Sequence, residues 1–237
     1  MKDIIVIGES HTRSFALRNN LYPFFMGNGK EINLFKKNID SVNKKINQVL
    51  NGIDNNKSLV FLYLGEPNCR YVINDSWDIH WKILKGQNIT FDIDKCKDRL
   101  NSCIENMKIL SNKIDYLITP TTALDITNTT LKYFNTTLKQ EFGDKVIDIF
   151  EKSIDEELKT LDEFKSNNWE KDPIHLNSGI SDVFLNILHD NGIIDDKSYY
   201  NSTVNTNFDT HFIRDNQFEI SKFGSYVIKN NKSYAKY

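Results

Sequence analysis

Two kinds of apolar run alternate along this chain. Residues 4–7 (Ile, Ile, Val, Ile), 59–64, 115–119 and 146–150 are short, nearly unbroken and rich in branched side chains. Such runs predict strands buried on both faces. Between them apolar positions recur every three or four residues. Ile39, Val42, Ile46, Val49 and Ile53 form one such series. Ile93, Cys96, Leu100, Cys103, Met107, Leu110 and Ile114 form a longer one, and Leu131, Phe134, Leu138 and Phe142 a third. Each predicts one face of an amphipathic helix. Gly52, Pro120, Gly143 and Gly192 fall where these elements should end. A helix start is expected over 12–18, a strand or extended segment over 21–26, and a last helix with Val183, Phe184, Ile187 and Leu188 facing inward. Residues 71–90 and 151–171 carry no clear period.

Strand and helix alternation implies an α/β fold, a three-layer α/β/α sandwich around a mostly parallel sheet. Beyond about residue 195 the pattern changes to Tyr- and Asn-rich loops around 208–213 and 218–228, which read as short strands. The division expected is therefore a main domain over 1–194 and a small β-rich appendage over 195–237.

Composition narrows the function classes. A net charge of -2 over 237 residues gives no general pull toward nucleic acid or an anionic membrane. No apolar run approaches the roughly 20 residues of a membrane span. The chain enters a strand at once, without a signal peptide, and its three cysteines are too few for a disulfide framework. A cytoplasmic setting is expected. Cys96 and Cys103 fit the helical period and read as small core residues. Asn-X-Ser/Thr triplets at Asn88, Asn128, Asn135 and Asn201 are expected by chance in so Asn-rich a chain. No zinc-like spacing, phosphate loop or Gly-X-Gly-X-X-Gly occurs, so no cofactor is expected.

The chemistry gathers where strands end. Gly8-Glu9-Ser10-His11 follows the first strand. Ser10 there is either a helix cap or phosphate contact, or a nucleophile at the carboxyl end of a sheet strand. Gly65-Glu66-Pro67-Asn68-Cys69-Arg70 follows the strand over 59–64, and Asp172-Pro173-Ile174-His175 precedes the last helix. Serine is a weak nucleophile at neutral pH and needs a base. His175 is the candidate base and Asp172 the group that orients it. Candidate oxyanion donors are the N–H of Ser10, a backbone N–H near Gly27 or Gly29, and the Asn68 amide. The Gly-X-Ser-X-Gly elbow of α/β-hydrolases is absent around Ser10.

These blocks resemble the SGNH, or GDSL-type, hydrolases. Gly8-Glu9-Ser10 is similar to their Gly-Asp-Ser block, with Glu9 where Asp is usual. Gly27 or Gly29 fits the glycine block, Gly65-Glu66-Pro67-Asn68 matches Gly-X-X-Asn, and Asp172-Pro173-Ile174-His175 matches Asp-X-X-His. The resemblance covers residues 1 to about 190. It implies a flavodoxin-like SGNH fold and a serine-dependent O-acyl esterase or acyltransferase. Catalytic Ser10, His175 and Asp172 and an oxyanion hole from Ser10, Gly27, Gly29 and Asn68 are implied with it. The Gly-Glu-X-X-Cys-Arg form resembles members linked to glycan modification, which favours a small-molecule or glycan ester substrate.

Two residues stay open. His11 either touches substrate or bonds to its own loop, and Arg70 either meets an anionic part of a substrate or makes a structural ion pair. Trp77, His80 and Trp81 either line a sugar or acyl pocket or simply pack; His189 and His211 are expected to be solvated or core histidines. A homo-oligomer is left open, as is the role of the appendage. A non-catalytic glycan-binding or scaffold module on the same fold is the competing reading, and a nucleotide-handling α/β protein a third.

Overall fold

The computed structural model describes residues 1–15, 18–27, 29–30, 32–165 and 173–201, and the backbone alone of 218–220 and 226–228. Strand β1 (Asp3–Gly8) is followed by a 3-10 turn over Ser10–Phe15 and strand β2 (Leu21–Phe25). Helix α1 (Ile39–Leu50), strand β3 (Ser58–Tyr63), helices α2 (Glu66–Asn74), α3 (Ile79–Leu84) and α4 (Ile93–Leu110), and strand β4 (Tyr116–Ile118) come next. Helix α5 (Asn128–Phe142), strand β5 (Val146–Ile147) and helix α6 (Ile180–Asp190) complete the layers.

The five strands pair in parallel in the order β2-β1-β3-β4-β5. This 2-1-3-4-5 order is that of flavodoxin-like doubly wound sheets. Parallel crossovers are right-handed, so the β1-to-β2 connection, which runs opposite to the others, lies on the opposite face. The core shows the result. Ile5, Ile7, Val60, Leu62 and Leu117 pack with α1, α2, α4 and α5. Ile4, Val6, Phe61, Tyr63 and Ile118 pack with Phe15 and α6. Successive strand residues point to opposite faces, so an unbroken apolar run serves both layers.

The α/β expectation and the inward Cys96 and Cys103 agree with this architecture; both thiols are buried and unbridged, as is that of Cys69. Several boundaries differ. Of the helix start expected over 12–18, the residues to Phe15 form a tight 3-10 turn, closed by the Thr12 N–H and hydroxyl donating to the Glu9 carbonyl, and residues 16 and 17 lie outside the described residues. The stretch 71–90 holds the end of α2 and all of α3. The strand expected over 146–150 has two residues, because Thr119 Oγ1 accepts the N–H groups of Ile149 and Phe150 in place of a ladder partner. The buried face of α6 is Ile180, Phe184, Leu185 and Leu188, with Val183 and Ile187 only partly buried. Within the appendage expected over 195–237, residues 208–213 lie outside the described residues. The stretch 218–228 is a pair of antiparallel strands, β6 (Phe218–Ile220) and β7 (Tyr226–Ile228), and not one strand.

Gly8 ends β1 opposite Tyr63, the last residue of β3. A Cβ at Gly8 would lie 2.1 Å from the Tyr63 carbonyl oxygen and 2.8 Å from Thr12 Cγ2. Both neighbours are fixed by the sheet and the turn. Gly8→Ala should therefore destabilise the protein by about 2 kcal/mol or more, as overpacking of backbone does. Urea denaturation of the variant against the parent measures it.

Candidate active site

Doubly wound sheets open a crevice where the strand order reverses, beyond the carboxyl ends of the strands. Here that point lies between β1 and β3. Gly8-Glu9-Ser10 leaves one strand and Leu64-Gly65-Glu66 the other. Across this crevice His175 Nε2 lies 2.7 Å from Ser10 Oγ, joining residues 165 apart in the chain.

The loop that carries His175 is held by its backbone on both sides of the ring. The Ile174 carbonyl accepts from the Ala123 N–H at 2.7 Å and from Thr122 Oγ1 at 2.9 Å. The Leu176 carbonyl accepts from Ser14 Oγ at 3.1 Å, on the same 3-10 turn that begins at Ser10. The Asn177 N–H donates to the Phe164 carbonyl, and its side-chain amide to the Glu163 and Lys165 carbonyls. Three distant segments thus fix one imidazole against one hydroxyl. Asp172, the expected orienting carboxylate, lies outside the described residues.

Beneath Ser10 sits a buried charged cluster. Glu9 and Glu66 are fully buried, His11 almost so, and Arg70 is 7% exposed. Glu9 Oε2 accepts from the His11 N–H at 3.1 Å, lies 2.8 Å from His11 Nδ1, and is 3.4 Å from Ser10 Oγ. The far ring nitrogen of His11 is 3.9 Å from Glu66 Oε2. Arg70 donates to both oxygens of Glu66, at 2.9 and 3.3 Å, and to the Trp77 carbonyl. Arg70 is therefore a structural ion-pair partner, and His11 bonds to its own turn. Burial opposes charge on His11, but the Glu9 carboxylate and then Glu66 outweigh it and raise its pKa. Burial likewise pushes Glu66 up, yet Arg70 and then His11 hold its carboxyl below the ordinary 4.5.

The glycine block runs from one strand end to the other. The Met26 N–H donates to the Gly8 carbonyl, which sets Gly27 beside the first block. Gly27 has φ 145°, a conformation that suits glycine. Gly29 packs on Pro67, where a Cβ would meet the ring at 2.5 Å. Asn68, in the first turn of α2, accepts the Leu34 N–H at its side-chain oxygen. That bond turns its NH₂ the other way, and Asn68 Nδ2 is buried with no hydrogen-bond partner among the described residues. An unpaired buried donor costs about 1–3 kcal/mol, so it calls for an explanation.

Sequence reasoning missed Glu66, the centre of the cluster. Its signals were a carboxylate in the first turn after a buried strand and the i, i+4 spacing to Arg70. Thr122 and Ser14 were also missed, and a hydroxyl that bonds a distant carbonyl leaves no periodic mark. Of the aromatic group, Trp77 packs with Tyr71 and Phe35, while Trp81 is 43% exposed. His80 is buried and His189 partly exposed; His211 lies outside the described residues. Among the described residues no His, Cys, Asp and Glu group could hold a metal, and no helix is long and apolar enough to cross a membrane. Comparison of this chain with protein-family models, with curated proteins and with solved structures finds no match.

His80 gives the site a pH signature. Burial and then the nearby Arg70 charge lower its pKa from 6.5 to about 4. Between those values the unfolded chain binds a proton that the folded one does not, so stability falls as pH drops from 6.5 toward 4. His80→Gln should flatten this part of the stability–pH curve, measured by urea midpoints at intervals of pH.

Proposed function

We propose that this protein is a serine-dependent O-acyl esterase or acyltransferase with the SGNH arrangement. The observation that carries the reading is the 2.7 Å contact between Ser10 Oγ and His175 Nε2 at the switch point of the sheet. A hydroxyl and an imidazole at that distance are set for proton transfer. In this reading residues 1–194 are an SGNH-type domain and 195–237 an appendage to it.

The reaction follows from the parts. His175 takes the proton of Ser10 as Oγ attacks an ester carbonyl. Asp172, three residues before His175, would hold the imidazole orientation and stabilise the imidazolium. The developing oxyanion would be met by the Ser10 N–H, a backbone N–H near Gly27 or Gly29, and Asn68 Nδ2. The unpaired buried amide of Asn68 supports this role, because an oxyanion would supply the acceptor it lacks. Collapse expels the alcohol, protonated by His175, and leaves an acyl group on Ser10. Water or an acceptor hydroxyl then attacks with His175 again as base.

A sugar-borne ester is the substrate class this reading favours. Phe35, Tyr71 and Trp77 line a cavity of about 310 Å³ together with Lys37, Arg99 and Ser102, and the Arg99 guanidinium sits over the Phe35 and Tyr71 rings. An aromatic lining with a few charged and polar groups suits a sugar, and the volume is that of a small ligand site. The cavity adjoins the third block, since Trp77 borders Gly29 and its carbonyl receives Arg70.

A fluorophosphonate probe should label the parent protein and leave Ser10→Ala unlabelled. Absence of labelling in the parent at any pH would overturn the reading in favour of a non-catalytic binding module. His175→Ala should lower turnover of an aryl acetate by roughly a thousandfold or more. Asn68→Ala should lower kcat by roughly a hundredfold with little change in KM, since its bond forms in the transition state.

A further inference from the structure

We propose that His11 is a positioning residue: a buried imidazolium, clamped between the Glu9 and Glu66 carboxylates, whose ring lies against His175 and keeps that imidazole unprotonated. The inference rests on the reading of His175 as the catalytic base.

The geometry argues for the charge. His11 Nδ1 lies 2.8 Å from Glu9 Oε2, and Nε2 lies 3.9 Å from Glu66 Oε2. A neutral ring carries one N–H and one lone pair. With the proton on Nδ1, the lone pair of Nε2 faces Glu66. With the proton on Nε2, a lone pair faces Glu9 at hydrogen-bond distance. Between two carboxylates, the doubly protonated ring is the form complementary to both: Nδ1 lies at hydrogen-bond distance from Glu9, while Nε2, which has no hydrogen-bond partner among the described residues, faces Glu66 through charge alone. Charge balance agrees. Glu9, Glu66 and Arg70 sum to one negative charge in a site sealed from water, and an imidazolium neutralises it.

The consequence falls on His175. Its ring centroid is 4.6 Å from that of His11. A like charge so close disfavours a second imidazolium and lowers the pKa of His175. Among the described residues the charged and titratable groups around the pair come from several elements; Asp172, which the proposed function sets beside His175, lies outside them. Glu9 lies on the same turn as His11, Glu66 and Arg70 are on α2, and Tyr63 ends β3 with its ring edge toward His11. His80, on α3, is coupled to His175 as a further positive group when protonated. Removing the His11 charge leaves the Glu66 carboxylate, which interacts with His175, without that neighbouring cation, and this favours protonation of His175. From the ring separation, the His175 midpoint should then rise by about one pH unit. The acid limb of kcat/KM should rise with it, a shift that a purely structural role would not produce.

Histidine-labelled full-length protein, followed by ¹⁵N and ¹³C NMR over pH, tests this without any substrate. The expected result is a parent in which, at pH 7, both His11 ring nitrogens are protonated and His175 is neutral. In His11→Gln, His175 should titrate about one unit higher than in the parent. A parent His11 with a single ring proton at pH 7, or an unmoved His175 midpoint in a folded His11→Gln protein, overturns the proposal. If the variant fails to fold, the parent titration decides alone. The fluorophosphonate probe separates the two claims. An unreactive Ser10 with the rings titrating as expected removes the esterase reading and leaves the charge assignment. A reactive Ser10 with a neutral His11 does the reverse.

Discussion

The close approach of Gly8 to the Tyr63 carbonyl fixes where the two central strands end. β1 is paired on both sides, by β2 and by β3, and its side chains are buried in both layers. At its last position there is no room for a Cβ. This glycine lets the chain turn sharply into Glu9-Ser10 while β3 turns into Gly65-Glu66. The crevice between them is the sheet's switch point, and the candidate chemistry described above borders it.

Two kinds of order hold that crevice. One is backbone anchoring: the carbonyls before and after His175 are bound by groups from the β4–α5 connection and from the Ser10–Phe15 turn. A loop residue so tied keeps its ring in one place, which is what proton transfer over a single hydrogen bond requires. The other is electrostatic. Burying four ionisable groups costs several kcal/mol per ion, and an apolar cluster of similar volume would often be at least as stable. The Glu9–His11–Glu66–Arg70 cluster is therefore poorly explained by stability alone. Its position under the Ser10–His175 pair fits a role in holding and tuning the proposed reaction.

Much of the fold could be read directly. The runs at 4–7 and 59–64 became central strands, and the series from Ile39 and Ile93 became α1 and α4. The misses share a cause. The 146–150 strand was cut short by a hydroxyl from Thr119, a residue far away in sequence. The stretch 71–90 hid α3 because a short helix with a small buried face has too few turns to display a period. In the site, Ser10 and His175 were legible as residue types at strand and loop ends, and the structure brings them together. Arg70 and His11 each had two readings, and the structure shows an internal partner for each, Glu66 and Glu9.

Local periodicity is a property of neighbours along the chain. The sequence therefore determined by itself the alternation of strand and helix, the two-faced burial of the strands and the placing of polar residues at their carboxyl ends. Which of those polar residues meet was decided only by tertiary structure, because the 2-1-3-4-5 strand order and its crossovers bring together segments far apart in the chain, Ser10 and His175 being 165 residues apart. The contact of Ser10 with His175, the approach of Glu66 to His11 and the tilted packing of His11 against the second imidazole all arise from that long-range closure. No pattern within a single segment encodes them.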